Sequence, residues 1–129
     1  MPEAKILVVD DEEDVRERLG NFLARRIDCL LEKAASGEEA IKKLKKDNFD
    51  LVLLDIRMPG LSGIDVMKEA VKICPQTKFL AISGYDSDEI ADETLKAGAV
   101  DFITKPQTPA AILLKVKDIL SKLGKYKEK

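Results

Sequence analysis

Histidine is missing altogether from this 129-residue sequence. Without an imidazole there can be no Ser-His-Asp or Cys-His catalysis, no histidine-ligated metal and no phosphohistidine carried by this chain, so any chemistry falls to carboxylates, hydroxyls and lysine. Cysteine is nearly missing. Cys29 and Cys74 stand far apart in apolar surroundings without CxxC spacing, and read as two small buried hydrophobes rather than a disulfide or metal pair. No apolar run approaches the roughly 18 residues that span a bilayer; the longest are stretches such as 51–54 and 110–114. Residues 1–5 pass straight into a short apolar run with no signal-peptide pattern, which predicts a cytoplasmic chain with no membrane association. Neither sign of charge dominates: 22 basic and 24 acidic residues leave a net charge of −2. No global positive field exists to hold a polyanion, so direct nucleic-acid binding is not expected.

What is present is the composition of one globular domain, 45% apolar and 36% charged with 5% aromatic residues. Short apolar runs at 6–9, 51–54, 79–82 and 100–103 lack alternation, as strands buried on both faces do. A weaker fifth run lies within 29–34. Between them run segments of helical period. Val15, Leu19, Phe22 and Leu23 share one face; Ala40, Ile41 and Leu44 a second; Ile64, Met67, Ala70 and Val71 a third; Ile90, Thr94 and Leu95 a fourth; Leu113, Val116, Leu120 and Leu123 a fifth. Ser36 with Glu39 predicts a capping box, Ser62 precedes Gly63 and Asp65, and Thr108 before Pro109 is an N-cap with proline at N1. Gly98 is a helix stop. Glu12, Glu13 and Asp14 suit the positive end of a first helical turn. Five strands alternating with five helices predict a doubly wound α/β domain with a parallel five-stranded sheet. Residues 1–124 form that domain in this reading, and the basic segment 125–129 is a solvated tail or the start of a linker.

In such a sheet, ligands gather beyond the carboxyl ends of the strands. There the sequence places Asp10 and Asp11 after the first strand and Asp55 at the end of the third, with Ser83 and Gly84 after the fourth and Lys105 and Pro106 after the fifth. Crowded carboxylates repel and need a cation, and an oxygen-only set of two or three acids suits Mg²⁺. A metal held this way, with a lysine and a hydroxyl opposite, is arranged to neutralise phosphoryl oxygens. There is no GxxxxGK[ST] loop, and Ser83 stands in Ala-Ile-Ser-Gly rather than in GxSxG, without a histidine to take its proton. A DxD phosphatase would need an acid where this chain has Arg57. Phosphoryl transfer to an aspartate remains, and Asp55 is the best placed.

The segments ILVVDDEEDVR (6–16), LVLLDIRMPGLSGID (51–65), ISGYD (82–86) and DFITKP (101–106), in this order and spacing, resemble a bacterial two-component response-regulator receiver domain over essentially the whole chain. The resemblance implies a flavodoxin-like sheet of order 2-1-3-4-5. It implies that Asp55 accepts a phosphoryl group from a sensor histidine kinase or phosphotransfer protein. It also implies a Mg²⁺ site in which Asp11 binds directly, Asp10 through water, and Asp55 and the backbone carbonyl of Arg57 complete the set. Lys105 would pair with the phosphoryl oxygens and, before phosphorylation, with Asp55; Ser83 and the Gly84 N–H would hydrogen-bond the phosphoryl group, and the Lys105–Pro106 bond would be cis. Such a chain is no ordinary enzyme; it assists its own phosphorylation and dephosphorylation. As Ser83 moves toward the phosphoryl group, Phe102 would repack, by packing alone because it has no hydroxyl. The output surface for a downstream protein or domain would be helix 87–97, strand 101–103 and the final helix. The second apolar row of that helix, Ile112 and Ile119, makes it the candidate surface for a homodimer or partner.

Gln107 stands where a phenylalanine often follows the Lys-Pro pair in the family, and Arg57 with Tyr85 would crowd the path of a water attacking the phosphoryl group. The rival reading is a receiver-fold interaction module that works without phosphorylation. A Mg²⁺-dependent phosphatase of small phosphoesters is a weaker third.

Overall fold

A computed structural model of the chain describes residues 3–84, 88–104 and 108–129. The elements alternate strictly: β1 (Ala4–Val9), α1 (Glu13–Arg26), β2 (Cys29–Ala34), α2 (Gly37–Lys46), β3 (Leu51–Asp55), α3 (Gly63–Ile73), β4 (Lys78–Ser83), α4 (Asp88–Lys96), β5 (Asp101–Thr104) and α5 (Pro109–Lys122). The strands are parallel in the order β2-β1-β3-β4-β5. That is the flavodoxin-like sheet the sequence predicts. β3 at its centre is buried at every position, which is why its run reads as continuously apolar. Edge strand β2 is only half-buried and carries Glu32 and Lys33, so its signal is weak.

Alternate residues of each strand supply two cores. On one face α1 and α5 pack Leu19, Leu23, Ile112, Val116 and Leu120 against Ile6, Val8, Leu51, Leu53 and Leu80. On the other, α2 and α3 with α4 cover Leu7, Val9, Val52, Leu54, Phe79 and Ala81. Burying one such leucine stabilises by roughly 1.5–3 kcal/mol. Among the described residues no helix is long and apolar enough to cross a membrane.

Several side chains lie differently from the sequence reading. β5 starts at Asp101; Val100 just before it donates its N–H to the Phe79 carbonyl of β4 (2.8 Å), and its side chain is exposed. Val71 and Leu95 sit one position beyond the buried Ala70 and Thr94, and a step of about 100° turns them outward. In α5 the buried row is Ile112, Val116 and Leu120, spaced four apart, and Leu113 is only partly buried. Ile112 is therefore core and unavailable to a partner. Cys74 is buried, but Cys29 only half so, and both are free thiols.

The caps agree better. Ser62 and Asp65 close a full capping box and Thr108 caps α5 ahead of Pro109. The box at Ser36 is half-closed: its hydroxyl accepts the Glu39 N–H (3.1 Å), but the Glu39 carboxylate accepts from Ala35 rather than Ser36 (3.2 Å). Glu12 is the N-cap residue of α1, without a side-chain cap bond, so only Glu13 and Asp14 lie in its first turn. Beyond α5 the tail is no free solvated end. Residues 125–129 turn back onto the foot of the sheet, the edge at the amino ends of the strands, where Asp28 N donates to the Lys127 carbonyl and Lys129 N to that of Arg26.

Candidate functional site

Three strands deliver the polar residues to one edge. Asp10 follows β1, where its N–H donates to the Ala34 carbonyl of β2 (3.2 Å). Its carboxylate Oδ1 accepts the Glu12 N–H (2.9 Å), a local turn that lets the chain leave the strand and start α1. From the first turn of α1, the Arg16 guanidinium donates to the Asp10 carbonyl (2.9 Å). This tether was not legible from the motif, since nothing in the spacing marks Arg16 as facing back.

Asp55 ends β3, in register with Ile82 of β4. Its Oδ1 accepts the Arg57 N–H (3.0 Å), which fixes the carboxylate against the loop that follows. That loop returns at Gly63, whose N–H donates to the Ile56 carbonyl (3.1 Å). A Cβ there would stand 2.7 Å from both the Asp55 carbonyl oxygen and Ile56 Cα, so only glycine permits so close an approach of α3 to the end of β3. Gly63 is thus a positioning residue that the sequence showed only as the neighbour of a cap.

Asp10 and Asp55 are almost fully buried and Asp11 is exposed, and one carboxylate oxygen from each lies within 4.8 Å of the others. At an effective dielectric of about 20, each such pair repels by roughly 3–4 kcal/mol. An oxygen-only set of this kind fits a hard divalent cation with water in its remaining positions. Ser83, fully buried, ends β4 one residue beyond the partner of Asp55, and Gly84 is exposed beside it. Among the described residues, nothing lies within 4 Å of a Cβ built on Gly84. Lys105, Pro106, Gln107 and Tyr85 lie outside the described residues. β5 nevertheless leads toward the same edge, with Thr104 paired to Ser83.

Phe102 on β5 is partly buried against the core on the α2, α3 and α4 side. Its N–H donates to Asp101 Oδ1 (2.8 Å), while Asp101 Oδ2 takes the Lys115 ammonium of α5 (2.7 Å). Burial pushes the Asp101 carboxyl up, but the Lys115 bond, the Phe102 N–H and nearby lysine charge outweigh it, leaving the group below the usual carboxylate range. In α4 the buried Thr94 hydroxyl donates to the Ile90 carbonyl (2.7 Å).

A parallel sheet of order 2-1-3-4-5 with an acidic triad at its carboxyl edge is the architecture of a receiver domain. Residues 6–117 match the family model of the response regulator receiver domain, and the chain belongs to that family. It is 36% identical over 121 residues to the chemotaxis protein CheY of Thermotoga maritima, covering 94% of this chain and 98% of that one. It is also 36% identical over 118 residues to the transcriptional regulatory protein ResD of Bacillus subtilis, covering 92% of this chain but 48% of ResD. The chain therefore spans nearly all of one relative and about half of the other. Among solved structures, the Vibrio cholerae chemotaxis protein CheY4 superposes with a TM-score of 0.84 at 29% identity, over 92% of this chain and all of CheY4.

Proposed function

We propose that this receiver domain is a phosphorylation-activated switch in which Asp55 takes a phosphoryl group from a partner's phosphohistidine. The convergence of Asp10, Asp11 and Asp55 at one sheet edge carries this reading. A carboxylate oxygen of Asp55 attacks phosphorus, the O–P bond forms as the partner's N–P bond breaks, and the imidazole leaves with the bonding pair. These 129 residues have no histidine, so the donor imidazole lies outside them, on a sensor histidine kinase or phosphotransfer module.

Asp10, Asp11, Asp55 and the Arg57 carbonyl would hold Mg²⁺, whose charge offsets the carboxylates and draws density from the phosphoryl oxygens. The Arg57 N–H orients the acceptor carboxylate, and the Arg16 tether fixes the turn carrying Asp10 and Asp11. Ser83 and the Gly84 N–H bind phosphoryl oxygens as donors, and Lys105 adds the balancing positive charge. Phosphorylation adds about 1.5 to 2 negative charges. Ser83 turns toward them and Phe102 repacks into the released space, a change that Asp101 passes to α5 through Lys115.

The output surface is α4, β5 and α5, where Leu95, Val100 and Leu114 are exposed apolar side chains available to a downstream protein or to a second copy. The test is to incubate the chain with Mg²⁺ and a small acyl-phosphate donor and follow its mass. A phosphoryl adduct that Asp55→Asn abolishes is the expected result. No adduct would leave a phosphorylation-independent interaction module in its place, and steady turnover of phosphoesters would make the protein a phosphatase.

A further inference from the structure

The C-terminal segment lies beyond the family match at residues 6–117. α5 ends in a Schellman turn: Gly124, at φ +72°, donates to the Ser121 carbonyl (3.0 Å) and Lys125 N to that of Leu120 (2.9 Å). The chain so reversed lays residues 125–129 across the foot of the sheet. The Lys125 ammonium reaches Asp50 Oδ1 (2.6 Å), a half-buried carboxylate whose other oxygen accepts the Lys5 N–H (2.8 Å). Ile27 and Glu128 form an antiparallel bridge, and Asp28 N donates to the Lys127 carbonyl (2.8 Å).

Lys129 then closes the end of α1, its N–H on the Arg26 carbonyl (3.1 Å) and its ammonium on that of Ala24 (3.0 Å). These are carbonyls that a helix leaves unpaired at its negative end, where a cation is favoured. Tyr126 packs against the core between α1, α5 and the sheet, with the Lys117 ammonium 5.4 Å from its ring centre.

We propose that residues 125–129 are a charge-locked strap that ties the foot of α5 to α1 and to the start of β3, and whose opening uncovers Cys29. The strap belongs to the folded unit, which therefore extends beyond residue 124. The Ile27–Glu128 bridge sets the strap beside the start of β2, and Cys29 and Tyr126 are both partly buried against the same core. Consistent with that cover, burial pushes the Cys29 thiol up to about 11, more than Lys129 draws it down.

Two anchoring pairs, Lys125 with Asp50 and Lys127 with Asp28 (3.5 Å), are electrostatic and part-exposed, so opening responds to salt: between about 0.1 M and about 1 M the Debye length falls from about 10 to about 3 Å. None of this depends on the phosphoryl-accepting reading of the opposite edge.

The test is the rate of thiol modification by a disulfide reagent in the intact chain. Cys74, buried in the core on the other face, serves as the internal reference. Lys125→Ala and Tyr126→Ala should each speed Cys29 by about fivefold or more while leaving Cys74 unchanged, and salt should speed Cys29 in the unaltered chain. Lys125→Arg should restore slow reaction. The proposal is overturned if Cys29 keeps its rate in both alanine variants, if Cys29 and Cys74 accelerate together, or if Lys125→Arg behaves as Lys125→Ala.

Discussion

The two ends of the sheet handle charge in opposite ways. At the foot, acids meet lysines: Asp47 and Glu32 face Lys5, Lys43 reaches Glu32 (3.2 Å), Asp50 takes Lys125 and Asp28 takes Lys127. Burial pushes Glu32 up, yet the hydrogen bonds from Lys43 and Lys5 and their charges leave its carboxyl lower than usual. At the carboxyl edge acids meet acids, with Asp10, Asp11 and Asp55 gathered within 4.8 Å. The foot pairs opposite charges that hold the fold, whereas the carboxyl edge gathers like charges into an oxygen-only set that suits a divalent cation.

Neutralising one carboxylate at each end breaks the comparison most directly, because the sign should reverse. Without divalent metal, Asp55→Asn should raise stability by about 1–3 kcal/mol, since it relieves repulsion among three close charges. Asp50→Asn should lower it by about 1–2 kcal/mol, as two donors lose a charged acceptor. Urea unfolding of the two variants beside the parent checks this. Shifts of the same sign would mean that the two edges do not differ electrostatically. Adding Mg²⁺ should then stabilise the parent by an amount set by its concentration relative to Kd, and Asp55→Asn by much less.

Packing sharpens the comparison next, within the carboxyl edge itself. Gly63→Ala should cost about 1–3 kcal/mol, because its methyl meets backbone atoms at 2.7 Å. Gly84→Ala, whose added carbon meets none of the described residues within 4 Å, should stay within about 0.5 kcal/mol. Equal unfolding midpoints for the two variants would show that the loop after β3 yields freely and that Gly63 does not position Asp55.

The order of elements and the acidic triad were legible in the sequence because both rest on local signals. Apolar runs marked the buried strands, caps marked the helices, and a strand's carboxyl end locates whatever residue follows it. Features made by side chains or close backbone contacts of one element reaching another were not legible. The tether from Arg16 to Asp10, the approach of Gly63 to Asp55 and the lock of Lys125 on Asp50 depend on where elements meet. Identity misled where orientation decides, as with Val71 and Leu95, apolar yet outward-facing. Gly124 carried a usable signal, a glycine just past the last periodic residue of α5, but a turn alone does not say what the reversed chain will touch.

The smallest effect concerns the link from β5 to α5. Asp101 keeps its charge to lower pH in the folded state than in the unfolded chain, so its pair with Lys115 stabilises above the ordinary aspartate range and is lost as pH falls through the folded value. Both side chains are substantially exposed, and solvent screening limits the contribution to about 0.5 kcal/mol near neutrality. Asp101→Asn should therefore weaken the protein by that amount at pH 7 and by nothing measurable near pH 2. By contrast Asp118→Asn, which removes the more exposed pair with Lys122 on α5, should change stability at neither pH. Thermal unfolding of both variants across that range decides the matter: a loss that persists undiminished in acid would show that Asp101 acts through its uncharged hydrogen bond to Phe102 rather than through Lys115.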